Sequence, residues 1–269
     1  MSLDQPAVTV LIGAFENEAT VARAIGSILS QTERNLELIV IDDGSRDRSA
    51  AAAREAIGDD PRGRVMRLER NLGIPRSLNA GMEAAAAPVI AIQDADDYSA
   101  PNRLQRELAV LAAEADVAVV GSRMREVDGS GRELQPRTSF ASGDVGQVLM
   151  RFNPIPNGSS AFRKAVALDL GGYDPRYRYA TEYDLWLRIA ERHRLVALDE
   201  ELATRVMGGG NVAARAERAQ LAEGVAIRAR ALRRRRTLRG ASGLLRPALS
   251  YALPASLKTA LRKRRGQAA

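Results

Sequence analysis

Along the first hundred positions, apolar residues form short unbroken runs, separated by stretches in which they recur at helical spacing. Ala7 to Ile12 reads Ala-Val-Thr-Val-Leu-Ile and is closed by Gly13, the pattern of a strand buried on both faces. Val21, Ile25, Ile28 and Leu29 then repeat at helical spacing, predicting a helix from Thr20 to Leu29 with Thr20 placed as its cap. A second buried strand, Leu36 to Ile41, ends in Asp42-Asp-Gly-Ser45. Residues 47–57 predict a second helix and Val65 to Leu68 a short third strand. Ser77 to Ala87 predicts a third helix, and Pro88 to Gln93 a fourth strand. Strands alternating with helices build βαβ units. The fold class is therefore α/β, a Rossmann-like, mostly parallel sheet with helices on both faces.

Composition narrows the chemistry. A chain of 269 residues with 45% hydrophobic positions has enough apolar surface for one large domain plus an appendage. The absence of cysteine excludes a disulfide scaffold, a thiolate zinc site and a cysteine nucleophile, and it fits a cytoplasmic location. The single histidine, His193, argues against a multi-histidine metal site and against a Ser-His-Asp triad; the helical pattern makes it an exposed helix residue. Met1 to Val10 has neither the basic start nor the apolar run of a signal peptide, and no window has the uncharged length of a membrane span.

The overall charge of +7 conceals two opposite regions. Residues 224–269 carry 13 bases and no acid, which leaves residues 1–223 at −6. A protein that binds nucleic acid spreads base over its folded face, so no nucleic-acid partner is expected. The tail holds Arg233 to Arg236, the apolar run Gly243 to Pro254, and Arg262 to Arg265. Basic clusters around short apolar stretches suit an anionic membrane surface; a solvated basic helix is the alternative.

In sheets of this kind ligands bind beyond the carboxyl ends of the strands. Those ends are Gly13-Ala-Phe-Glu-Asn17, Asp42-Asp-Gly-Ser45 and Asp94-Ala-Asp-Asp97. No Gly-x-Gly-x-x-Gly follows the first strand and no Gly-Lys-Ser/Thr loop occurs, so the usual dinucleotide and P-loop readings fail. Carboxylates repel a bare pyrophosphate but accept one through a bridging Mn²⁺ or Mg²⁺. The pattern points to a metal-bound nucleoside diphosphate.

The segments Val8 to Asn17, Ser27-Ile-Leu-Ser-Gln-Thr32 and Leu38-Ile-Val-Ile-Asp-Asp-Gly-Ser45 resemble family 2 glycosyltransferases of the GT-A fold. Asn71-Leu-Gly73, Leu78-Asn-Ala-Gly81, Asp94-Ala-Asp-Asp97 and Pro101-Asn-Arg-Leu104 continue the match, as do Gly171-Gly-Tyr-Asp174 and Glu182-Tyr-Asp-Leu-Trp-Leu-Arg188. The resemblance spans about residues 7–212. It implies a nucleotide-sugar-binding half at 1–120, an acceptor-binding half at 121–223 and a basic tail at 224–269.

The resemblance also implies roles. Asp43 would read the base, with Asp42 beside it forming a turn, and Phe15 and Glu16 would touch base and ribose. Asn71, Gly73 and Arg76 would lie near the base. Asp96 would ligate Mn²⁺ or Mg²⁺, with Asp94 a ribose or metal contact. Residues two apart on an extended chain face one side, so both carboxylates can address one cation. Asp97 would support the loop or cap the next helix. Glu182 would take the proton of the acceptor hydroxyl in an inverting transfer, and Asp184 would fall on the other side of the helix. Leu185, Trp186 and Ile189 would pack the core.

Two departures stand out. Thr181-Glu182 replaces the more usual Glu-Asp, making the base a glutamate. Arg205-Val-Met207-Gly-Gly-Gly-Asn211 carries Met207 where the family has a histidine, and a thioether is a poor ligand for Mg²⁺ or Mn²⁺. The metal would then rest on Asp96, the diphosphate and water.

In the second half, Asp128-Gly-Ser-Gly131 is a hairpin signal. Tyr173, Tyr177, Tyr179 and Tyr183 either stack on a carbohydrate or lipid-linked acceptor or pack locally. The expected activity is transfer from a UDP- or dTDP-type donor, in cell-surface polysaccharide or glycolipid assembly on the inner face of the membrane. A nucleotidyltransferase would need a basic Gly-rich phosphate loop, which Gly13 to Asn17 lacks. A non-catalytic nucleotide-binding protein, associated with membrane and built on a transferase fold, is the alternative that Met207 favours.

Overall fold

The computed structural model describes residues 5–135, 140–208 and 212–235. The first half alternates as its apolar runs predict: β1 (Val8–Ala14), α1 (Val21–Leu29), β2 (Leu36–Asp42), α2 (Ser49–Ile57), β3 (Gly63–Arg67), α3 (Ile74–Ala84) and β4 (Val89–Asp94). The four strands are parallel, and Gly13 pairs with Asp94 while Ala14 pairs with Asp42. The carboxyl ends of β1, β2 and β4 are therefore level. Alternation along β1 feeds two cores: Val8, Val10 and Ile12 pack with Ile25 and Ile28 of α1, and Leu11 packs with Leu78 and Met82 of α3.

β5 (Tyr98–Ser99), α4 (Arg103–Ala113), β6 (Val117–Asp128), β7 (Gly143–Asp144), a 3₁₀ turn at Asn157–Ser159, β8 (Ser160–Arg163), α5 (Lys164–Asp169), α6 (Thr181–Ile189), β9 (Arg194–Met207) and α7 (Val212–Arg235) follow. The sheet runs β3-β2-β1-β4-β8-β6-β9-β5, with β7 on β9. The expectation of a mostly parallel sheet is corrected in this half. β8 is antiparallel to both β4 and β6, and only β6 and β9 run parallel. Among the described residues no α-helix intervenes between β6 and β8, and without a helical crossover the chain returns antiparallel.

Local details refine other expectations. Thr20 precedes α1, but its hydroxyl donates to the Asn17 carbonyl (3.5 Å) instead of capping the helix. α3 starts at Ile74, ahead of Ser77, because Pro75 is preset for a first helical turn. α6 ends at Ile189, so His193 lies outside any helix, half-buried in the turn before β9. Asp128 to Gly131 does form a hairpin turn, closed by the Asp128 N–H on the Arg132 carbonyl (2.9 Å).

α7 lies against the body. Ile227 and Ala231 join the core, and the buried Arg228 donates to the Met150 and Arg151 carbonyls. Arg230 pairs with Asp174 (3.5 Å) and Arg234 with Glu191 (2.8 Å). Several bases that the sequence assigned to an outward-facing tail thus hold α7 in place. The Gly243–Pro254 and Arg262–Arg265 stretches lie outside the described residues. No helix among the described residues is long and apolar enough to cross a membrane.

Candidate active site

A cleft of about 770 Å³ opens at the level ends of β1, β2 and β4. Phe15, Asp43, Asn71, Gly73, Arg76, Asp94 and Asp96 all line it. Its other wall is Pro175, Tyr177, Arg178 and Tyr179, ahead of α6. Glu16 is not among the lining residues. It turns the loop with φ 55°, and its N–H donates to the Ser45 hydroxyl (3.1 Å).

Asp43 does two things at once. It faces the cleft, yet its side chain is buried, and its two oxygens accept the N–H groups of Leu72 (2.7 Å) and Gly73 (2.8 Å). Burial raises its pKa, opposed by those two amides, while Asp42 adds repulsion. Each carboxylate oxygen keeps a second lone pair for a ligand. Gly44 makes this approach feasible. Its φ is 71°, and a Cβ there would lie 2.5 Å from the Arg70 carbonyl carbon. Asp42 forms the turn: it accepts the Ser45 N–H (3.1 Å) and pairs with Arg67 (3.2 Å).

β4 ends at Asp94, and Ala95 and Asp96 belong to a turn closed by the Asp97 N–H on the Asp94 carbonyl (3.2 Å). The strand-alternation argument for the Asp-x-Asp pair is thereby corrected, since a turn and not an extended chain brings both carboxylates to the cleft. Asp94 is half-buried and Asp96 exposed. Burial first, then the Asp96 charge, pushes the Asp94 pKa upward, against Arg205 and Arg103. Gly158 has no side chain to spare, because a Cβ there would sit 2.5 Å from Asp94 Oδ2. Asp97 supports the loop and does not cap α4. It accepts the Val206 N–H from β9 (2.9 Å), and Asn102 holds the cap position.

Glu182 sits in the first turn of α6 and accepts a hydrogen bond from Asn153 Nδ2 (2.9 Å). Burial pushes its pKa up to about 7; its own backbone amide, Arg205 and Asn153 oppose this, and the Asp94 charge adds to it. Glu182 does not line the cleft's open volume, but it shares an electrostatic neighbourhood with Asp94, Arg205 and Tyr173. The Tyr173 hydroxyl, buried, donates to Asn157 Oδ1 (2.9 Å). Asp184, on the opposite side of α6, is buried against Arg188 (2.7 Å). Trp186 is in the core, its indole N–H on the Ile155 carbonyl (3.0 Å).

Met207 closes β9 opposite Asp128 and is not among the cleft-lining residues. Arg205, two residues earlier, lies 4.0 Å from both Asp97 and Glu126. Among the described residues no group of three or more His, Asp or Glu is arranged to hold a metal.

Sequence reasoning gave no role to Arg103, which is wholly buried and donates to the carbonyls of Ile92 (2.9 Å) and Gly158 (2.8 Å), beneath Asp94. Its place in Pro101-Asn-Arg-Leu104 was the only signal. Asn153 and Glu223 carried none.

The model of glycosyl transferase family 2 matches residues 9–166. The chain belongs to this family. The glycosyltransferase is 27% identical over 206 residues to the amylovoran biosynthesis glycosyltransferase AmsE of Erwinia amylovora, covering 76% of this chain and 77% of that one. It is 33% identical over 189 residues to the putative glycosyltransferase EpsE of Bacillus subtilis, covering 69% and 67%. Two solved structures share its GT-A fold. S. aureus TarS with UDP has a TM-score of 0.63 at 17% identity, over 84% of this chain and 70% of that one. The mannosyltransferase PcManGT of Pyrobaculum calidifontis, with GDP-Man and Mn²⁺, has a TM-score of 0.66 at 18% identity, over 98% and 81%.

Proposed function

We infer that the enzyme transfers a glycosyl group, with inversion, from a UDP- or dTDP-type donor to an acceptor hydroxyl in polysaccharide or glycolipid assembly. One observation carries this reading: Asp43, Asp94 and Asp96 meet in one cleft, with a near-neutral-pKa glutamate beside Asp94. The relatives support it by their names, since AmsE serves amylovoran biosynthesis and ExoO of Rhizobium meliloti, 39% identical over 137 residues, serves succinoglycan biosynthesis.

In this reading Asp43 accepts the ring N–H of the base, while Phe15, Asn71, Gly73 and Arg76 shape its surroundings. The Asp94 and Asp96 carboxylates fit a hard divalent cation, because their mutual repulsion is what such an ion relieves. With no third protein carboxylate or imidazole grouped with them among the described residues, the other positions fall to diphosphate and water. Bound there, Mn²⁺ or Mg²⁺ would supply charge stabilisation to the departing diphosphate. Glu182 takes the acceptor's proton. The acceptor oxygen bonds to the anomeric carbon from the face opposite the diphosphate, and the pair of the breaking C–O bond leaves with the diphosphate.

The basic tail, residues 224–269, supplies in the same reading attraction to anionic lipid at the inner face of the membrane, which vesicle co-sedimentation tests. The catalytic reading is tested by incubating the purified chain with UDP- and dTDP-sugars and Mn²⁺. Release of nucleoside diphosphate that Glu182→Gln abolishes supports it. Donor binding without any release favours the non-catalytic alternative.

A further inference from the structure

α6 begins without a local cap. Ala180 occupies the cap position and offers no side-chain acceptor. The segment leading into it is held instead from α7, more than forty residues away. Glu223 accepts three consecutive backbone N–H groups, those of Arg178 (2.8 Å), Tyr179 (2.8 Å) and Ala180 (2.9 Å). One carboxylate thus fixes the segment that forms the cleft's second wall and leads directly into the helix carrying Glu182.

Charge gives that wall a task. Asp43, Asp94 and Asp96 face the cleft, and its only lining cations among the described residues are Arg76 and Arg178. A divalent ion between Asp94 and Asp96 is already balanced by two carboxylates, so the diphosphate's own charge is left to the arginines. Arg178 is exposed, and its guanidinium lies 5.5 Å from the Tyr179 ring centroid. Its backbone, not its side chain, is what the rest of the fold holds.

We propose that Glu223 is a positioning residue that presents Arg178 to the diphosphate of the bound donor, making donor affinity depend on the seating of α7. This role rests on the nucleotide-sugar reading above. It adds α7, which lies wholly beyond residue 166 where the family match ends, to the elements that support the cleft. α7 is suited to the task because Arg228, Arg230 and Ile227 seat it independently of Glu223.

The test measures, by calorimetry on the full chain, the affinities of UDP, dTDP and GDP with Mn²⁺, alongside amide hydrogen exchange. Four variants are compared with wild type: Glu223→Ala, Arg178→Ala, their double and Arg230→Ala. Glu223→Ala should lose protection at residues 178–180 while β1 and β4 keep theirs, and should bind about tenfold more weakly because the wall must be ordered on binding. The double variant should bind no more weakly than Arg178→Ala, since both changes remove one contribution. Arg230→Ala, which removes one partly exposed ion pair while Arg228 and Ile227 still seat α7, should bind as wild type does. Wild-type affinity in Glu223→Ala, or full additivity in the double, overturns the positioning role while leaving the donor reading standing. Failure of wild type to bind any of the three nucleotides overturns the donor reading and this role with it.

Discussion

Asn79 and Tyr173 hold each other by a reciprocal pair of hydrogen bonds: Asn79 Nδ2 donates to the Tyr173 carbonyl, and the Tyr173 N–H donates to Asn79 Oδ1, each at 2.8 Å. The pair ties α3, whose first turn edges one side of the cleft, to the segment that carries the opposite wall. Two half-buried hydrogen bonds lost together with their partners left unsatisfied cost about 2–4 kcal/mol. Asn79→Ala should therefore lower the unfolding free energy by that much, seen as a lower urea midpoint at unchanged slope. Asn79→Asp keeps the acceptor but turns a carboxylate on the Tyr173 carbonyl, and should fare no better at pH 8.

Glu182 predicts the pH profile of transfer. The groups facing it are Asp94 from β4, Arg205 from β9, Asn153 and Tyr173. A carboxyl held near 7 is protonated and inactive as a base below that value, so kcat/KM should rise with pH and level off above about 7. Glu182→Gln should lower kcat by about 10²- to 10⁴-fold and remove the rising limb. A profile of unchanged shape in that variant assigns the limb to another group.

Asp43 predicts a coupled loss. Because its oxygens hold the Leu72 and Gly73 amides, Asp43→Ala should cost about 2–4 kcal/mol of stability besides nucleotide affinity. Asp96→Ala, at an exposed position whose described bond runs through its backbone carbonyl to Arg23, should leave the melting temperature within about 1–2 °C. Melting curves of the two variants check the contrast.

Glu107 predicts a pH dependence of stability. It is fully buried on α4, neither of its oxygens has a hydrogen-bond partner, and burial lifts its pKa to about 7 against the neighbouring Arg103. Between about 4.5 and 7 the folded chain holds a proton that the unfolded chain has released, so stability falls as pH rises through that window. Glu107→Gln removes the titration. Its stability relative to wild type should climb by about 3 kcal/mol from pH 4.5 to 8.

The first half was legible because β1, β2 and β4 are near-continuous apolar runs, and β2 and β4 end in acids. β8 was not, because its four residues hold only Ala161 and Phe162 as an apolar pair, too short a run to show a strand's periodicity. α7 hid its buried stripe because Arg228 belongs to it, and a buried arginine reads as surface. The candidate cleft residues Asp43, Asp94 and Asp96 stood at strand ends, where topology itself brings them together. Asn79 and Tyr173 each lay in a recognisable motif, Leu78 to Gly81 and Gly171 to Asp174, but nothing local shows that one motif exists to hold the other. Glu223 was invisible for the same reason, since an acceptor supplied across forty residues leaves no spacing to read.

Isothermal calorimetry of UDP, dTDP and GDP, with and without Mn²⁺, on wild type and Asp96→Ala tests the central claim most directly. The account predicts heat from a uridine or thymidine diphosphate that requires Mn²⁺ and disappears in Asp96→Ala, with the variant's melting temperature retained. Binding that is indifferent to Mn²⁺ and to Asp96, or no binding by wild type, would contradict it.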